Sequence, residues 1–113
     1  MTLTTEDMGD LSDVDPAAMD ELLASDGFGK FAVLSVSDEA FLQAGNNWQP
    51  TPECEAFMAE HGSDPWVLEY RADGQQFRAA GPVTLDQVRK AFLSYLTAGP
   101  EWRTGVRWAA LDL

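Results

Sequence analysis

One cysteine, one histidine and seven Lys or Arg are all that this 113-residue chain holds of the side chains that build thiol, imidazole and basic phosphate-binding sites. Cys54 alone makes no internal disulfide and no multi-cysteine metal site. His61 has no second histidine with which to share a transition metal. Seven bases against 19 acids give a formal net charge of −12, which argues against a binder of phosphate backbones, because such a protein needs a basic face. No run of 18 apolar residues occurs, so no membrane span is expected. The short run Gly27-Phe28-Gly29-Lys30 has the spacing of neither the dinucleotide fingerprint nor the phosphate loop, and reads as a joint between elements. The opening Met1–Asp7 is acidic, unlike a secretory signal that starts basic and turns apolar, so a cytoplasmic protein is expected.

What is present is enough for one globular domain. Hydrophobic residues make up 45% and aromatics 11%, including four Trp, so a core can form. The charge is unevenly placed. Residues 1–64 hold fourteen acids and one base, Lys30, a formal −13, whereas residues 65–113 hold five acids and six bases, a formal +1. The acids are densest in 1–26, where no Lys or Arg meets them. Such a stretch repels itself, so 1–14 is expected to be an acidic, mobile arm and 15–113 a single α+β domain.

Along the chain, Asp15-Pro16 opens a helix over 16–25, by capping side chain and first-turn proline, and Asp26-Gly27 stops it. Phe31–Val36 and Ala40–Ala44 read as strands. Gly45–Pro50 is a loop carrying Trp48, and Thr51-Pro52 opens a second helix that Gly62 ends. Its stripe is Cys54, Phe57, Met58 and His61. Trp66–Arg71 and Gln75–Ala80 form a hairpin turning at Asp73-Gly74, a dipeptide that supplies positive φ. That turn pairs Tyr70 with Phe77, Glu69 with Arg78 and Leu68 with Ala79, which puts apolar groups on one face and opposite charges on the other. A three-residue turn would shift this pairing. Thr84-x-x-Gln87 is a capping box, opening a helix over 84–98 with the stripe Leu85, Val88, Ala91, Phe92, Tyr95 and Leu96. Gly99-Pro100 ends it, and Val106–Leu111 reads as a final strand or extended tail. The expected fold is α+β: a single antiparallel sheet with helices packed on one face, in the order α-ββ-α-ββ-α plus that tail.

No constellation of catalytic type emerges. Cys54 and His61, seven residues apart on one helix, are separated by about 10 Å of rise, too far for a dyad. They read as a small core filler and a helix-end residue. Asp10, Asp13 and Asp15 resemble a fragment of a calcium loop, but its glycine and final glutamate are missing at the required spacing. Nineteen acids offer many carboxylate pairs, and no spacing singles one out.

Aromatics are the remaining signal. Trp48 sits among Asn46, Asn47 and Gln49, and Trp102 and Trp108 lie near Arg103 and Arg107. Trp and Arg are enriched at the energetic centres of interfaces, while a Trp also roofs a small core. The second role suits Trp66 and Trp108; Trp48 fits either.

From Trp66 to Leu111 the pattern is a hairpin with Val67-Leu-Glu-Tyr-Arg, a capped helix from Thr84 ending in Tyr95-Leu96, a glycine turn, Trp102, then Trp108 and Leu111. It resembles small bacterial immunity proteins of polymorphic toxin systems. That resemblance implies a non-enzymatic role, capping a toxin, and the acidic half would suit a basic one. The reading is therefore an interaction domain without catalysis, cofactor or metal, binding a basic protein and neither nucleic acid nor membrane, as a monomer or weak homodimer. Its candidate contact residues are Asn46, Asn47, Trp48 and Gln49 with Asp13, Asp15, Asp20 and Glu21. The alternative is a small-ligand or enzymatic domain with a carboxylate-lined cleft, which a pocket of a few hundred Å3 with convergent polar groups would favour.

Overall fold

Alternation of β-branched and apolar residues begins at once: Thr2-Leu3-Thr4-Thr5 turns Leu3 and Thr5 to one face and Thr2 and Thr4 to the other. In the computed structural model, which describes residues 1–25 and 28–111, this segment is strand β1 (Thr2–Thr5). Gly9, at φ 65°, helps close the turn into β2 (Gly9–Ser12). Helix α1 (Pro16–Ala24) follows, and the Asp15 carboxylate accepts from the Ala18 N–H as the cap-plus-proline pattern requires. The stop expected at Asp26-Gly27 lies outside the described residues.

Strands β3 (Phe31–Ser37) and β4 (Ala40–Asn46) form the next pair, then α2 (Pro52–His61), capped by Thr51 and closed by Gly62 at φ 67°. Strands β5 (Trp66–Ala72) and β6 (Gln75–Ala79) turn through Asp73 and Gly74 at φ 54° and 76°, both left-handed. The two-residue register holds: Tyr70 faces Phe77 and Glu69 faces Arg78. Helix α3 (Leu85–Leu96) carries the full Thr84–Gln87 capping box. A short α4 (Glu101–Thr104) and β7 (Trp108–Ala110) complete the chain.

All seven strands join one antiparallel sheet in the order β2-β1-β3-β4-β5-β6-β7. The fold is thus α+β with a single sheet, and the element order gains a leading hairpin and α4. The hairpin corrects the expectation of a mobile 1–14 arm. β1 is an interior strand, paired with β2 on one side and β3 on the other, and Leu3 is fully buried. Glu6 adds a tie: its carboxylate accepts from the Lys30 N–H at 3.0 Å. The Asp7 N–H donates to the Phe28 carbonyl at 3.2 Å. Backbone pairing and the burial of Leu3 outweigh the repulsion that composition alone implied.

The core lies between one face of the sheet and two helices. Leu3, Ala32, Leu34, Leu42, Ala44, Trp66, Leu68 and Tyr70 face Met19 and Leu23 of α1 and Val88, Ala91 and Phe92 of α3. Helix α1 packs on α3, and α3 lies across β4 and β5. The shortest molecular dimension is 22 Å, which fits one sheet and one helix layer but not a second layer on the far face. Helix α2 departs from the expected layer: it buries no residue. Its stripe was expected in the core, but only Phe57 and Met58 are apolar and large, against three glutamates, so the helix has little to bury.

The C-terminus of α3 also departs from expectation. Ala98, not Gly99, takes the left-handed φ, at 61°. The Gly99 N–H donates to the Ser94 carbonyl and the Ala98 N–H to that of Tyr95, the paired bonds of a Schellman ending. A Cβ at Gly99 would meet Glu101 Oε2 at 2.5 Å, so the carboxylate that accepts from the Ser94 hydroxyl would have to move aside.

Candidate interaction surface

The sheet order converts the uneven charge of the sequence into an uneven molecule. Strands β2, β1, β3 and β4, with α1 and α2, come from residues 1–64; β5, β6 and β7, with α3 and α4, come from the rest. Among the described residues, two ion pairs cross the seam. Arg71 Nε donates to Glu39 at 3.0 Å. Arg89 grips Asp20 through Nε and a terminal nitrogen, at 3.2 and 3.1 Å. That hydrogen bond, then the charge of Asp20, raises the Arg89 pKa above its ordinary value. The other ion pairs of the neutral half are internal to it: Arg78 with Glu69, and Asp86 with both Arg89 and Lys90.

Asn46 and Asp13, one from each group of candidate contact residues, lie at opposite ends of the sheet. Asn46, the last residue of β4, pairs with Trp66 near the end where Thr5 meets Ala32. Asp13 follows Ser12, at the end where Thr2 meets Ser35. Asn46 organises its loop: its amide donates to Asp64 at 2.8 Å and its oxygen accepts from the Trp48 N–H at 2.8 Å. The Asn47 N–H donates to the Pro65 carbonyl, and the Gln49 carbonyl accepts from the Thr51 N–H. Trp48 is left 39% exposed, with its indole free of the buried core. Asp13 takes a left-handed turn and Asp15 caps α1, so both serve the backbone locally. Asp20 is committed to Arg89, while Glu21 is exposed.

Trp102 and Trp108 serve the fold. Tyr70 stacks on Phe77 with centroids 4.8 Å apart and meets Trp102 and Trp108 edge-on at 4.9 and 4.7 Å. Arg103 lies 5.7 Å from the Tyr70 ring centroid and its carbonyl accepts from the Trp108 indole. Burial raises the pKa of the neighbouring Tyr95 phenol.

Two hollows flank α2. One, of about 440 Å3, lies towards α3 and is lined by Met58, His61, Asp64, Thr84, Asp86 and Arg89. Its charged groups already have partners: Asp64 holds Asn46, Asp86 holds Lys90 and Arg89 holds Asp20. The other, of about 350 Å3, is mainly apolar, with Cys54, Phe57, Pro65, Val67 and Pro82 along it and Glu53 and Arg78 at its rim. Val67 also borders a smaller hollow of about 220 Å3 on the uncovered sheet face, with Phe31, Val33 and Gly45.

Arg78 is neutralised where it stands. The Glu69 carboxylate, nearly buried on that otherwise open face, accepts from Gln43 at 3.3 Å, from Gln76 at 2.7 Å and from Arg78 Nε at 3.0 Å. Sequence reasoning paired Glu69 with Arg78 but missed the hollow beside α2. The sign was available: a helix with three glutamates in ten residues cannot be a core helix.

Cys54 and His61 do not meet. The thiol lies 3.7 Å from the Asn47 carbonyl, and the imidazole packs on Phe57 with ring centroids 4.4 Å apart. Among the described residues, no group of three or more His, Cys, Asp or Glu is placed to hold a metal ion, and no helix is long and apolar enough to cross a membrane. No protein-family model matches the chain, and no curated protein or solved structure matches it.

Proposed function

We propose that this chain is a non-enzymatic interaction domain whose acidic half captures a basic protein. The observation that carries the reading is the coincidence of the charge boundary with the β4–β5 seam: the four strands before it come from residues 1–64, which sum to a formal −13, and the three after it from residues 65–113, which sum to +1. Among the described residues, only Asp20 and Glu39 of that acidic half pair with an Arg. The other acids repel one another, and those that neither cap a helix nor accept a hydrogen bond serve attraction of a positive partner or solubility rather than stability. The resemblance of residues 66–111 to immunity proteins agrees with this reading and would make the partner a toxin.

The second reading, a small-ligand or enzymatic cleft, draws on the hollow of about 440 Å3 bordered by Asp64, Asp86 and His61. Its polar groups are engaged with one another and with neighbours, which leaves the first reading stronger. The test is capture of the partner from the native host, followed by stopped-flow association from about 0.02 to about 0.5 M NaCl. A positively charged partner whose association slows at least roughly tenfold over that range is expected. A salt-independent rate, an acidic partner, or DNA as the captured species overturns the proposal.

A further inference from the structure

We infer that the apolar hollow between α2 and strands β5 and β6 is the seat of an anchor: an apolar side chain of the basic partner, flanked in that partner by Lys or Arg. The inference rests on the reading above and gives its contact a place. Helix α2 is capped at both ends, yet it buries none of its side chains. Cys54 and Phe57 look instead into a hollow of about 350 Å3 whose remaining wall is Pro65, Val67, Ala80 and Pro82. That volume is at the lower end for small-molecule pockets and has room for a large aliphatic or aromatic side chain.

Charge decides what surrounds the anchor. On α2 the spacing of Glu53, Phe57 and Glu60 is four and then three residues, so a carboxylate stands one turn above and one turn below Phe57 on the same stripe. Helix α2 has no Lys or Arg. The one cation at the rim, Arg78, is bound to Glu69 at 2.9 Å. An apolar group entering over Phe57 therefore meets negative charge on both sides and no free positive charge beside it. A cationic flank is attracted there and an anionic flank is repelled. Asn47, the residue before the exposed Trp48, also borders the hollow.

The probe is a set of short synthetic peptides titrated into the 15N-labelled full chain. One has two leucines between pairs of lysines, a second has serines for the leucines, and a third has glutamates for the lysines. The lysine–leucine peptide should move the amide resonances of Cys54, Phe57, Val67 and Ala80, less so as salt rises. The serine peptide, with the same charge, and the glutamate peptide should leave those four in place. Phe57→Ala should weaken binding roughly tenfold, and the double variant Glu53→Gln, Glu60→Gln roughly threefold, with the spectrum otherwise that of the folded parent.

No shift at those four residues at about 5 mM peptide overturns the inference, as does undiminished binding by Phe57→Ala. Lysine peptides that bind in a salt-dependent way but perturb only β1, β2 and α1 remove the anchor site and keep the acidic-capture reading. Preference for the glutamate peptide removes both.

Discussion

Divided between Asp64 and Pro65, the chain makes two halves that are held together by different means. The neutral half is internally matched. Glu69 binds Arg78, Asp86 binds Arg89 and Lys90, and Tyr70 ties Phe77, Trp102 and Trp108 into one aromatic lattice. Among the described residues, the acidic half holds no Lys or Arg ion pair of its own. It is held by apolar burial at Leu3, Met19, Leu23, Leu34 and Leu42, and by Arg71 and Arg89 reaching across from the other side. The lesson is that apolar contact and backbone pairing carry the acidic half against its own field, so its charge is free to act on something outside the fold.

The most severe way to break the comparison is to delete residues 1–14. Interior β1 then disappears, β3 becomes an edge and Leu3 leaves the core. The midpoint of thermal unfolding should fall by more than ten degrees, or cooperative unfolding should be lost; an unchanged midpoint would show the acidic half to be dispensable. Next comes Phe92→Ala. Because α3 lies over both β4 and β5, this change should cost about 3–5 kcal/mol and loosen both halves together. Hydrogen exchange that rises in β5–β7 alone would make the halves independent.

A smaller effect of opposite sign is expected from Ala98→Gly. Relief of the left-handed alanine at φ 61° should stabilise by about 0.5–1 kcal/mol in denaturant titration, though glycine gives part of the gain back in the unfolded chain. The smallest effect is confined to high pH. Burial raises the Tyr95 pKa above 10.0, so the unfolded chain loses this proton first. Its contribution is therefore intact below the unfolded value and lost as pH rises through the folded one. Tyr95→Phe should narrow the drop in midpoint between about pH 9 and about pH 11; an identical drop would place the alkaline sensitivity elsewhere.

Local signals were the legible ones. Asp73-Gly74 set the β5–β6 register, the Thr84–Gln87 box began α3 and Asp15-Pro16 began α1. The leading hairpin was obscured because the acids of 1–14 dominate its composition, although Leu3 between threonines was already a strand pattern. Sequence distance hid the clamp of Asp20 on Arg89, 69 residues apart. It equally hid the separation of Asn46 from Asp13, since only strand order says which ends are neighbours. The stripe on α2 misled for another reason: helical spacing brings Cys54, Phe57 and His61 to one side but does not say what that side meets.

The strand order also bears on how the polypeptide emerges during synthesis. Five of the six strand pairings join consecutive strands, and the remaining one, β1 with β3, skips only β2. A chain released from its N-terminus can therefore assemble β2-β1-β3-β4 before Pro65 is made. At that stage Leu42 of β4 awaits the helix that will lie over that strand, α3, which is synthesised later. The nascent sheet is then at its greatest risk of sticking to another copy, and the chain made by that point carries 14 of the 19 acids and only one base. Mutual repulsion between copies holds them apart until α3 arrives, so the acidic surplus protects the half-made protein as well as giving the finished one its field.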